Sequence, residues 1–487
     1  MASFPFLLQA QSGSHQVQLS YNGQHLEFDQ PEQENKKQSG CLPCGPSTAT
    51  GCSIRTVEIL NITFESEHTL VVAACWEKHG PKKASELELF KFQVKDIEQA
   101  KQWQSNVLGH VYKDVKQGRH YKILVNPFGG QGHAQKIWQN TAEPLFKASG
   151  STYDLTLTTH RYHAKEIAKE LDIRKYDAVC SISGDGVLHE VINGFMERPD
   201  AILAHKLPLG AIPGGSGNAL SFSLLGEDHG NHASNAVLAI LKGRAMPVDL
   251  CSVTQGQTRT FSFVLQSFGL IADVDLGSEH LRWMGGARFT MAALGKVLAQ
   301  TTAGCELAYL PVETDVQKIH AQYNAQRAQP VVWADQTHDE MDEDHKEITD
   351  VYGGIHASLK DSDGWVIEKD QYATVVGAKL PWISKGSVTH PAALPNDGLV
   401  DLLIFPGDMG RAAGLQALIA SETGEHIHNE KVRYLKVKAF RVTPAASSGY
   451  ISLDGEHTPY EPYQVEAHRG LISVLSVDGR YARSMRE

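Results

Sequence analysis

The chain has 487 residues, with 41% hydrophobic residues, 21% charged residues and a formal net charge of −11. These values are typical of a soluble globular protein of two or three domains, and the acidic balance argues against a protein that coats nucleic acid. No apolar run approaches the ~18–20 residues that cross a bilayer, and the start MASFPFLLQAQ lacks the features of a secretory signal.

Residues 1–117 are predicted to form a β-rich region. Alternating stretches such as VQLSYNGQHLEF and HTLVVAACWEK indicate strands. The stretch IEQAKQWQSNVLGHVY then places apolar side chains near one helical face. Several strands followed by one amphipathic helix with a tryptophan are the outline of a pleckstrin-homology-like barrel. The face consists of Ile97, Ala100, Trp103, Val107 and Val111.

The seven cysteines are scattered through the chain, two of them in CLPCG as Cys41 and Cys44. Such an odd set suits a reducing cytosol better than a disulfide scaffold and predicts a cytoplasmic protein. A zinc site is disfavoured because no second CxxC or HxxxH follows. Two neighbouring surface cysteines are also suited to S-acylation, with ordinary loop thiols as the alternative.

From Tyr121 the pattern changes to strand, glycine turn and helix, three times over. YKILVN leads into PFGGQG, YDAVCSIS into GDG, and LPLGAIP into GGSGN. This alternation predicts a parallel α/β domain over residues 118–248, with a helix that is interrupted or ends near Pro144. Ligands of such sheets bind beyond the carboxyl ends of the strands, where all three turns lie.

Residues 249–487 are predicted to form an antiparallel β-sandwich. FSFVLQSFGLIADVDL, YATVVGAKLPWIS, GLVDLLIF and VKAFRVTP read as strands separated by turns. Between them, residues 313–350 contain the acidic, nearly aromatic-free run DQTHDEMDEDHKEITD. This composition predicts a disordered insertion, and the spacing of an EF-hand calcium loop is missing.

The glycine turns supply free backbone N–H groups and helix N-termini, which suit phosphate. None of them is a Walker A loop or a dinucleotide-binding fingerprint. Asp185 lies between two glycines in SISGDG, where an acid beside a phosphate site could accept a hydroxyl proton. The alternative is a helix N-cap. HEVIN, from His189, is not a zinc HExxH motif because residue 193 is asparagine.

NPFGGQGHA, SISGDGVLHEVINGFMERPDA, PGGSGNALS, GLIADVDLGSEHLRWMGGARFT, DGLVDL and SLDGE closely resemble the diacylglycerol-kinase catalytic superfamily. The wider match is to sphingosine (sphingoid long-chain base) kinases and covers residues 118–480 apart from the acidic insertion. The resemblance implies an α/β nucleotide domain packed on a β-sandwich lipid domain, with ATP and Mg²⁺ in the cleft. It also implies phosphate transfer to the primary hydroxyl of a sphingoid base.

The resemblance assigns roles to individual residues. Asp185 matches the general base, and Asp275 matches the carboxylate that holds the sphingoid amine and hydroxyl. Ser183, Gly184 and Gly186 match further substrate-binding positions, and the metal would contact Asp454 or Glu456 through water. The residues that match the ATP site are Asn126, Pro127, Phe128, Thr158, Thr159, His160, Arg161, Tyr162, Glu190, Gly215, Ser216, Gly217, Arg282, Arg288, Asp454, Gly455 and Glu456.

These assignments have structural alternatives. The two arginines could lie on a solvated surface, and the DGE segment could be only a hairpin turn. In the first glycine loop, Gln131 and His133 replace the lysines common in the family, and Phe128 stands where arginine can occur. Less fixed positive charge then faces the phosphates, so Arg282, Arg288 and Mg²⁺ must neutralise more of it.

Two other functions stay open. One is a kinase of another lipid, such as diacylglycerol or ceramide, which has no ammonium for Asp275 to bind. The other is a catalytically weak lipid-binding adaptor. The substrate tail must leave a bilayer, so we also expect a protein peripheral to intracellular or plasma membranes. The preferred base, its chain length and the oligomeric state do not follow from the sequence.

Overall fold

The computed structural model describes residues 4–29, 51–77, 83–130, 132–277, 287–331, 348–360 and 363–485, and only the backbone of 29, 51 and 287–290. The chain forms two compact units. The first comprises Met1–Arg119 and Ala142–Thr152, and the second comprises His120–Thr141 and Tyr153–Glu487. No helix in the described ranges is long and apolar enough to cross a membrane.

In its described part, the first unit is a seven-stranded sheet, ordered β4-β3-β2-β1-β7-β6-β5, with a helix that follows the last strand. Trp103 of this helix is buried and donates its indole N–H to the Phe6 carbonyl (3.1 Å). The β-rich N-terminal region is thereby confirmed, and its pleckstrin-homology-like classification stays a prediction. The elements are β1 Phe6–Ser12, β2 His15–Tyr21, β3 His25–Asp29, β4 Gly51–Arg55, a 3₁₀ turn Thr56–Glu58, β5 Ile59–Ser66, β6 Thr69–Trp76, β7 Glu86–Gln93, α1 Ile97–Val111 and α3 Glu143–Ala148.

The second unit is built on a mixed sheet of fourteen strands among the described residues, with helices around it. Its strands are β8 His120–Val125, β9 Thr152–Leu157, β10 Ala178–Ser183, β11 Leu209–Pro213, β12 Arg244–Gln255, β13 Thr258–Ser262, β14 Leu265–Gly269, β15 Ala303–Glu313, β16 Val366–Ala378, β19 Val400–Pro406, β20 Arg433–Pro444, β21 Ile451–Leu453, β22 Glu456–Thr458 and β23 Tyr463–Ser476, beside a separate β17 Trp382–Ser384 and β18 Ser387–Val388. Its helices are α2 Ala134–Ile137 with a π turn Trp138–Ala142, α4 His163–Glu170, α5 Asp185–Met196, α6 Ala201–Lys206, α7 Ala219–His229, α8 Ala233–Lys242, α9 Leu270–Gly277, α10 Ala287–Ala299, α11 Val316–Arg327, α12 Arg411–Ala420 and a 3₁₀ turn Glu425–His428.

The predicted parallel layer and the predicted sandwich share this sheet. β10 pairs in parallel with β8 on one side and with β11 on the other. β11 in turn meets β23 at a single parallel pair, Leu209 with Val474, and β23 pairs antiparallel with β12 and β20. The α/β plus antiparallel β class is therefore confirmed, and the sheet carries the glycine turns of β8, β10 and β11 to one edge.

The predicted interruption near Pro144 is confirmed as a π turn. The helix that begins at Ala134 widens over Trp138–Ala142 and resumes as α3 with Pro144 in its first turn. Proline has no N–H to bond the carbonyl four residues earlier, but it is tolerated at a helix start. α3 contacts β5, so residues 142–152 belong with the first unit, which the boundary at residue 117 did not anticipate.

Two predictions of local structure are wrong. Residues 270–277, predicted as the end of a strand, form α9, because Gly269 takes a left-handed φ of +83° and ends β14. Residues 316–327, predicted to be disordered, form α11, which buries Ile319 and Tyr323 one turn apart. Of the acidic run at 335–350, residues 335–347 lie outside the described residues.

Candidate active site

The three glycine turns pack backbone against backbone. A Cβ on Gly215 would lie 2.3 Å from the Gly184 Cα, and a Cβ on Gly130 would lie 2.6 Å from the Gly214 carbonyl oxygen. Only glycine allows this approach, and Gly130 also has a left-handed φ of +56°. The edge of the sheet beyond β8, β10 and β11 therefore presents bare backbone, as a phosphate site requires.

Asp185 is the first residue of α5, and the N-cap of that helix is Gly184. The Asp185 carboxylate instead caps α7, because it accepts hydrogen bonds from the backbone N–H groups of Ala219 (2.7 Å) and Leu220 (3.0 Å). Burial raises the pKa of Asp185, and these two hydrogen bonds oppose that rise. The acid is thus held in place by a second glycine-led helix.

Glu190, predicted in the ATP site, fixes loop 158–162, which is predicted to belong to the same site. Its carboxylate accepts hydrogen bonds from the backbone N–H groups of Tyr162 and Ala164, both at 3.0 Å, at the start of α4. Tyr162 itself takes a left-handed φ of +68°. Loop 158–162 is therefore positioned by the same helix that begins with Asp185.

We expect Glu190→Gln to lower the free energy of unfolding by about 1–2 kcal/mol, since the new amide N–H₂ opposes a backbone donor. The KM for ATP should rise because loop 158–162 loses an anchor. Glu197→Gln, at the end of the same helix, is the matched control; Glu197 forms exposed ion pairs with Lys165 and Lys169, and such pairs contribute about 0–1 kcal/mol. Chemical denaturation and ATP titration of initial rates measure both effects, and equal KM values for the two variants would contradict this role.

Asp275 lies on α9 and faces the hairpin that joins β21 to β22. Its Oδ2 accepts a hydrogen bond from the Ser452 hydroxyl (2.6 Å), and a Cβ on Gly455 would lie 3.9 Å from the same oxygen. The sequence had placed this residue on a strand. On the helix, its carboxylate lines the same cavity as that of Asp185.

Asp454, predicted to lie near nucleotide and metal, is instead surrounded by hydrogen-bond donors of the protein. Its side chain is fully buried and accepts five hydrogen bonds of 2.6–3.0 Å, which fill the roughly four lone-pair positions of a carboxylate. No acceptor position is left for a nucleotide or a metal-bound water. The five donors are the Ser262 hydroxyl, the N–H groups of Phe263, Val264 and Leu265, and His189 Nδ1.

Glu456 is the carboxylate of the DGE segment that faces the cavity. It forms an ion pair with Arg161, whose guanidinium lies 4.9 Å from the centre of the Tyr162 ring. Gly186 lies next to it, since a Cβ there would be 3.8 Å from Glu456 Oε1. The predicted DGE segment and the predicted loop 158–162 therefore meet directly.

These residues line one cavity of about 930 Å³. Its polar end is formed by the glycine turns and Asp185. Its other end is lined by apolar side chains of β14, α9, α10, β19 and α12, among them Leu265, Ile271, Val274, Leu294, Val297, Leu403, Phe405, Met409, Leu415 and Leu418. A cavity with this polarity gradient suits a molecule with a polar head and a long apolar tail.

Most of the predicted site residues line this cavity: Asn126, Phe128, Thr158, His160, Arg161, Ser183, Gly184, Asp185, Gly186, Glu190, Gly215, Ser216, Gly217, Asp275, Asp454, Gly455 and Glu456. Pro127 and Thr159 are not among its lining residues, and Tyr162 lines a second cavity instead. Arg282 and Gln131 lie outside the described residues, and Arg288 is described only as backbone of α10. His133 precedes α2 without a side-chain capping bond.

Sequence reasoning missed two cations and two histidines that line the cavity, namely Lys296, Lys385, His426 and His457. Lys296 on α10 pairs with Asp273 (2.7 Å), and Lys385 lies between β17 and β18. His426 is buried at the apolar end, and burial lowers its pKa to about 4, so it is neutral near pH 7. Each is a single residue outside the motifs that carry the family resemblance, so no local motif marks it.

Comparison with known proteins supports the same assignment along the chain. Residues 120–253 match the family described as diacylglycerol kinase catalytic domain, and residues 352–476 match the YegS C-terminal NAD kinase beta sandwich-like domain. A crystal structure of a diacylglycerol kinase from Bacillus anthracis str. Sterne aligns with a TM-score of 0.50 at 17% identity, covering 74% of this chain and 98% of that one. At this identity the alignment speaks for the fold alone.

Curated relatives match over most of their length. Sphingoid long chain base kinase 4 of Schizosaccharomyces pombe is 30% identical over 419 residues, covering 86% of this chain and 84% of that protein. Sphingosine kinase 1 of Arabidopsis thaliana is 34% identical over 412 residues, covering 80% and 81%. Human sphingosine kinase 1 is 31% identical over 369 residues, covering 73% and 90%. With this coverage, the chain belongs to the sphingosine (sphingoid long-chain base) kinases, the ATP-dependent lipid kinases that carry the diacylglycerol-kinase catalytic domain.

Proposed function

We propose that this protein transfers the γ-phosphate of ATP to the primary hydroxyl of a sphingoid long-chain base, with Asp185 as the general base. One observation carries the proposal. Asp185 and Asp275 line a single cavity that joins the three glycine turns to an apolar pocket. Phosphoryl transfer relies mainly on positioning and charge stabilisation, so one acid beside a phosphate-binding backbone suffices.

Asp185 has the surroundings of a base that is fixed in direction. Its two hydrogen bonds to the start of α7 hold the carboxylate at the junction of the GDG and GGSGN turns. Burial raises its pKa above that of an ordinary aspartate, which strengthens it as a proton acceptor. The proton of the lipid hydroxyl would pass to this carboxylate as the O–P bond forms.

Asp275 would bind the ammonium of the sphingoid base. A long-chain base carries a positive charge next to its hydroxyls, and Asp275 lines the cavity together with the apolar Ile271 and Val274 of the same helix. The hydrogen bond from Ser452 orients the carboxylate toward the hairpin. The apolar lining of α9, α10 and α12 would then hold the hydrocarbon tail.

The residues present fit a nucleotide better than a preformed metal site. Backbone N–H groups of the glycine turns and Arg161 suit the phosphates. Across the described ranges, no cluster of three or more His, Cys, Asp or Glu could hold a metal by itself. Mg²⁺ usually binds through one or two carboxylates, water and substrate phosphates, and would supply charge neutralisation there. We propose that Glu456 is the carboxylate that would hold it, since the oxygens of Asp454 are fully used.

The domain assignment also supports this division of labour. We propose that residues 118–248 bind the nucleotide, that residues 249–487 bind the lipid, and that residues 1–117 form a separate module. The family matches at 120–253 and 352–476 lie within or close to the first two. In the structure, residues 142–152 are the exception, because α3 packs on β5.

We also propose that the protein works at a membrane surface without spanning it. The helices α10 and α12, which line the apolar end of the cavity, expose Met291 (59%), Leu298 (49%) and Ile419 (60%) to solvent. Such side chains can enter a bilayer from which the substrate is drawn. Acylation of Cys41 and Cys44, which lie outside the described residues, stays a second part of this proposal.

Replacing Met291 and Leu298 together by serine should weaken binding to phosphatidylcholine vesicles about 10- to 100-fold, since two apolar side chains would no longer be buried there. Turnover of detergent-dispersed base should stay unchanged. Val351→Ser is the matched control. Val351 is also an exposed apolar residue (73%), but it lies in segment 348–360 and not on α10 or α12. Vesicle flotation measures binding, and unchanged flotation of the double variant would exclude this surface.

In a separate test, Cys41→Ser with Cys44→Ser should move part of the protein from the membrane to the soluble fraction.

A lipid panel with labelled ATP tests the proposed reaction. Sphingosine, dihydrosphingosine and phytosphingosine should yield labelled 1-phosphates, whereas diacylglycerol and ceramide, which lack the ammonium, should yield far less. Preferential labelling of diacylglycerol or ceramide would identify another lipid kinase. A folded protein that binds the bases but transfers no phosphate would be the adaptor instead.

A further inference from the structure

A buried pair of side chains ties α5 to the hairpin between β21 and β22. His189 Nδ1 lies 2.9 Å from Asp454 Oδ2, and the two side chains are 8% and 0% exposed. His189 follows Asp185 by one helical turn, while Asp454 lies two residues after Ser452, the partner of Asp275. The pair therefore joins the helix that begins with the proposed base to the hairpin that orients the proposed ammonium site.

The surrounding hydrogen bonds hold His189 in place. The Asn193 side chain is oriented by Phe261, whose N–H donates to its Oδ1 (2.9 Å) and whose carbonyl accepts from its Nδ2 (2.8 Å). Asn193 Nδ2 also donates to the His189 backbone carbonyl (2.9 Å), and it lies 3.3 Å from His189 Nε2. A carboxylate oxygen accepts hydrogen bonds, so His189 Nδ1 is the donor to Asp454.

The same carboxylate also holds the turn between β13 and β14. Three consecutive backbone N–H groups, of Phe263, Val264 and Leu265, donate to it, and its own N–H donates to the Leu265 carbonyl (2.9 Å). Asp454 adopts a left-handed φ of +53° to make these contacts. This conformation is rare outside glycine and needs specific support. His189 supplies the one side-chain nitrogen among the five donors, and it comes from α5.

We propose that His189 and Asp454 are positioning residues for phosphoryl transfer, which set the place of the Asp185 helix relative to the hairpin that contacts Asp275. The inference rests on the proposed roles of those two acids. Asp454 was matched to the ATP and metal site by sequence, but its oxygens are filled, and His189 is not among the residues that line the cavity. Loss of the pair should therefore lower kcat and leave KM nearly unchanged, because misplacement of a reacting group by ~1 Å costs about 10²-fold in rate.

A pair of substitutions isolates the hydrogen bond. The amide nitrogen of asparagine stands close to the position of imidazole Nδ1, whereas that of glutamine stands close to Nε2. His189→Asn should keep a donor for Asp454 and retain kcat within about threefold, while His189→Gln should lose about 10- to 100-fold. In both variants the KM values for ATP and sphingosine should stay within about threefold of wild type.

A second buried histidine provides the matched control for packing. His205 lies on α6 and packs its ring against Phe195 of α5, the helix that contains His189, with 5.9 Å between the ring centres. Its Nδ1 also forms a hydrogen bond with the Ala201 carbonyl of α6. His205→Ala should lower the melting temperature yet retain kcat. Asp454→Asn should reduce kcat with little change in the KM for ATP.

Three results would overturn the inference: equal kcat for His189→Asn and His189→Gln, a loss of kcat in His205→Ala as large as in His189→Gln, or a rise of the ATP KM in Asp454→Asn at constant kcat. Failure of the proposed function would look different. The wild-type protein would then lack turnover on sphingoid bases, or Asp185→Asn would remain active.

Discussion

Asp185→Asn should reduce kcat by about 10²–10⁴-fold, the usual contribution of a general base. The amide still accepts one backbone hydrogen bond at the start of α7, so the glycine turns should remain assembled. ATP binding should persist, because the residues that face the phosphates are unchanged. Initial rates and nucleotide titration separate the two effects, and retention of more than about a tenth of wild-type turnover would exclude Asp185 as the base.

The stability of this variant reflects two opposing terms. In the structure, both carboxylate oxygens of Asp185 accept hydrogen bonds from the start of α7. Asparagine loses one of these bonds and also removes a buried charge. We expect the free energy of unfolding to fall by no more than about 1–2 kcal/mol, as measured by denaturant titration.

The same burial predicts the acid limb of the pH–rate profile. The raised pKa of Asp185 means that the folded protein binds this proton more tightly than an unfolded chain does. The ionised carboxylate is the active form, so kcat/KM should fall as the pH decreases through that raised pKa. The charged form also makes folding less favourable, and that cost appears as the pH rises from the ordinary aspartate value through the raised one.

Asp275→Asn should raise the KM for sphingosine strongly and leave the KM for ATP nearly unchanged. Loss of a hydrogen-bonded charge partner in a partly desolvated site costs about 2–4 kcal/mol, or roughly 30- to 1,000-fold in kcat/KM. Initial-rate kinetics with each substrate varied in turn measure both constants.

Asp273→Asn is the matched control for Asp275→Asn, because Asp273 lies on the same helix and pairs with Lys296 (2.7 Å). It should change the sphingosine KM much less. An equal rise of the ATP KM in Asp275→Asn would instead make Asp275 part of the nucleotide or metal site.

The sequence predicts the residues of the site better than their contacts. Glycines that flank an acid at a strand end mark Asp185 without any structure, because local backbone geometry demands them. That Asp185 caps α7, or that Glu190 caps α4, depends on pairings 34 and 26–28 residues apart. No local pattern encodes such pairings.

Asp454 is a second residue whose contacts could not be predicted from the sequence. The motif marks it as a residue of the site, and a hairpin turn was the alternative. The structure gives it five donors from three separate elements, which neither view anticipated. Its neighbour Glu456, two positions on, is the carboxylate that faces the cavity.

Errors in secondary structure arise where a short apolar pattern fits both the period of a helix and the period of a strand. LIADVDL alternates well enough for a strand, but a left-handed glycine before it starts a helix instead. In α11 the buried residues Ile319 and Tyr323 were too few to outweigh the polar composition around them. Strands β10 and β19 were predicted correctly, because a short run of consecutive buried residues is typical of a strand covered on both faces.

The central claim is that Asp275 binds the ammonium of the lipid and that Asp185 activates its hydroxyl. The most direct test compares kcat/KM for sphingosine with that for N-acetylsphingosine, which keeps the chain and hydroxyls but lacks the charge. Wild-type protein should prefer sphingosine by roughly 30- to 1,000-fold, and Asp275→Asn should reduce this preference to within about threefold of unity. An unchanged preference in Asp275→Asn would contradict the account, because some other group would then read the amine.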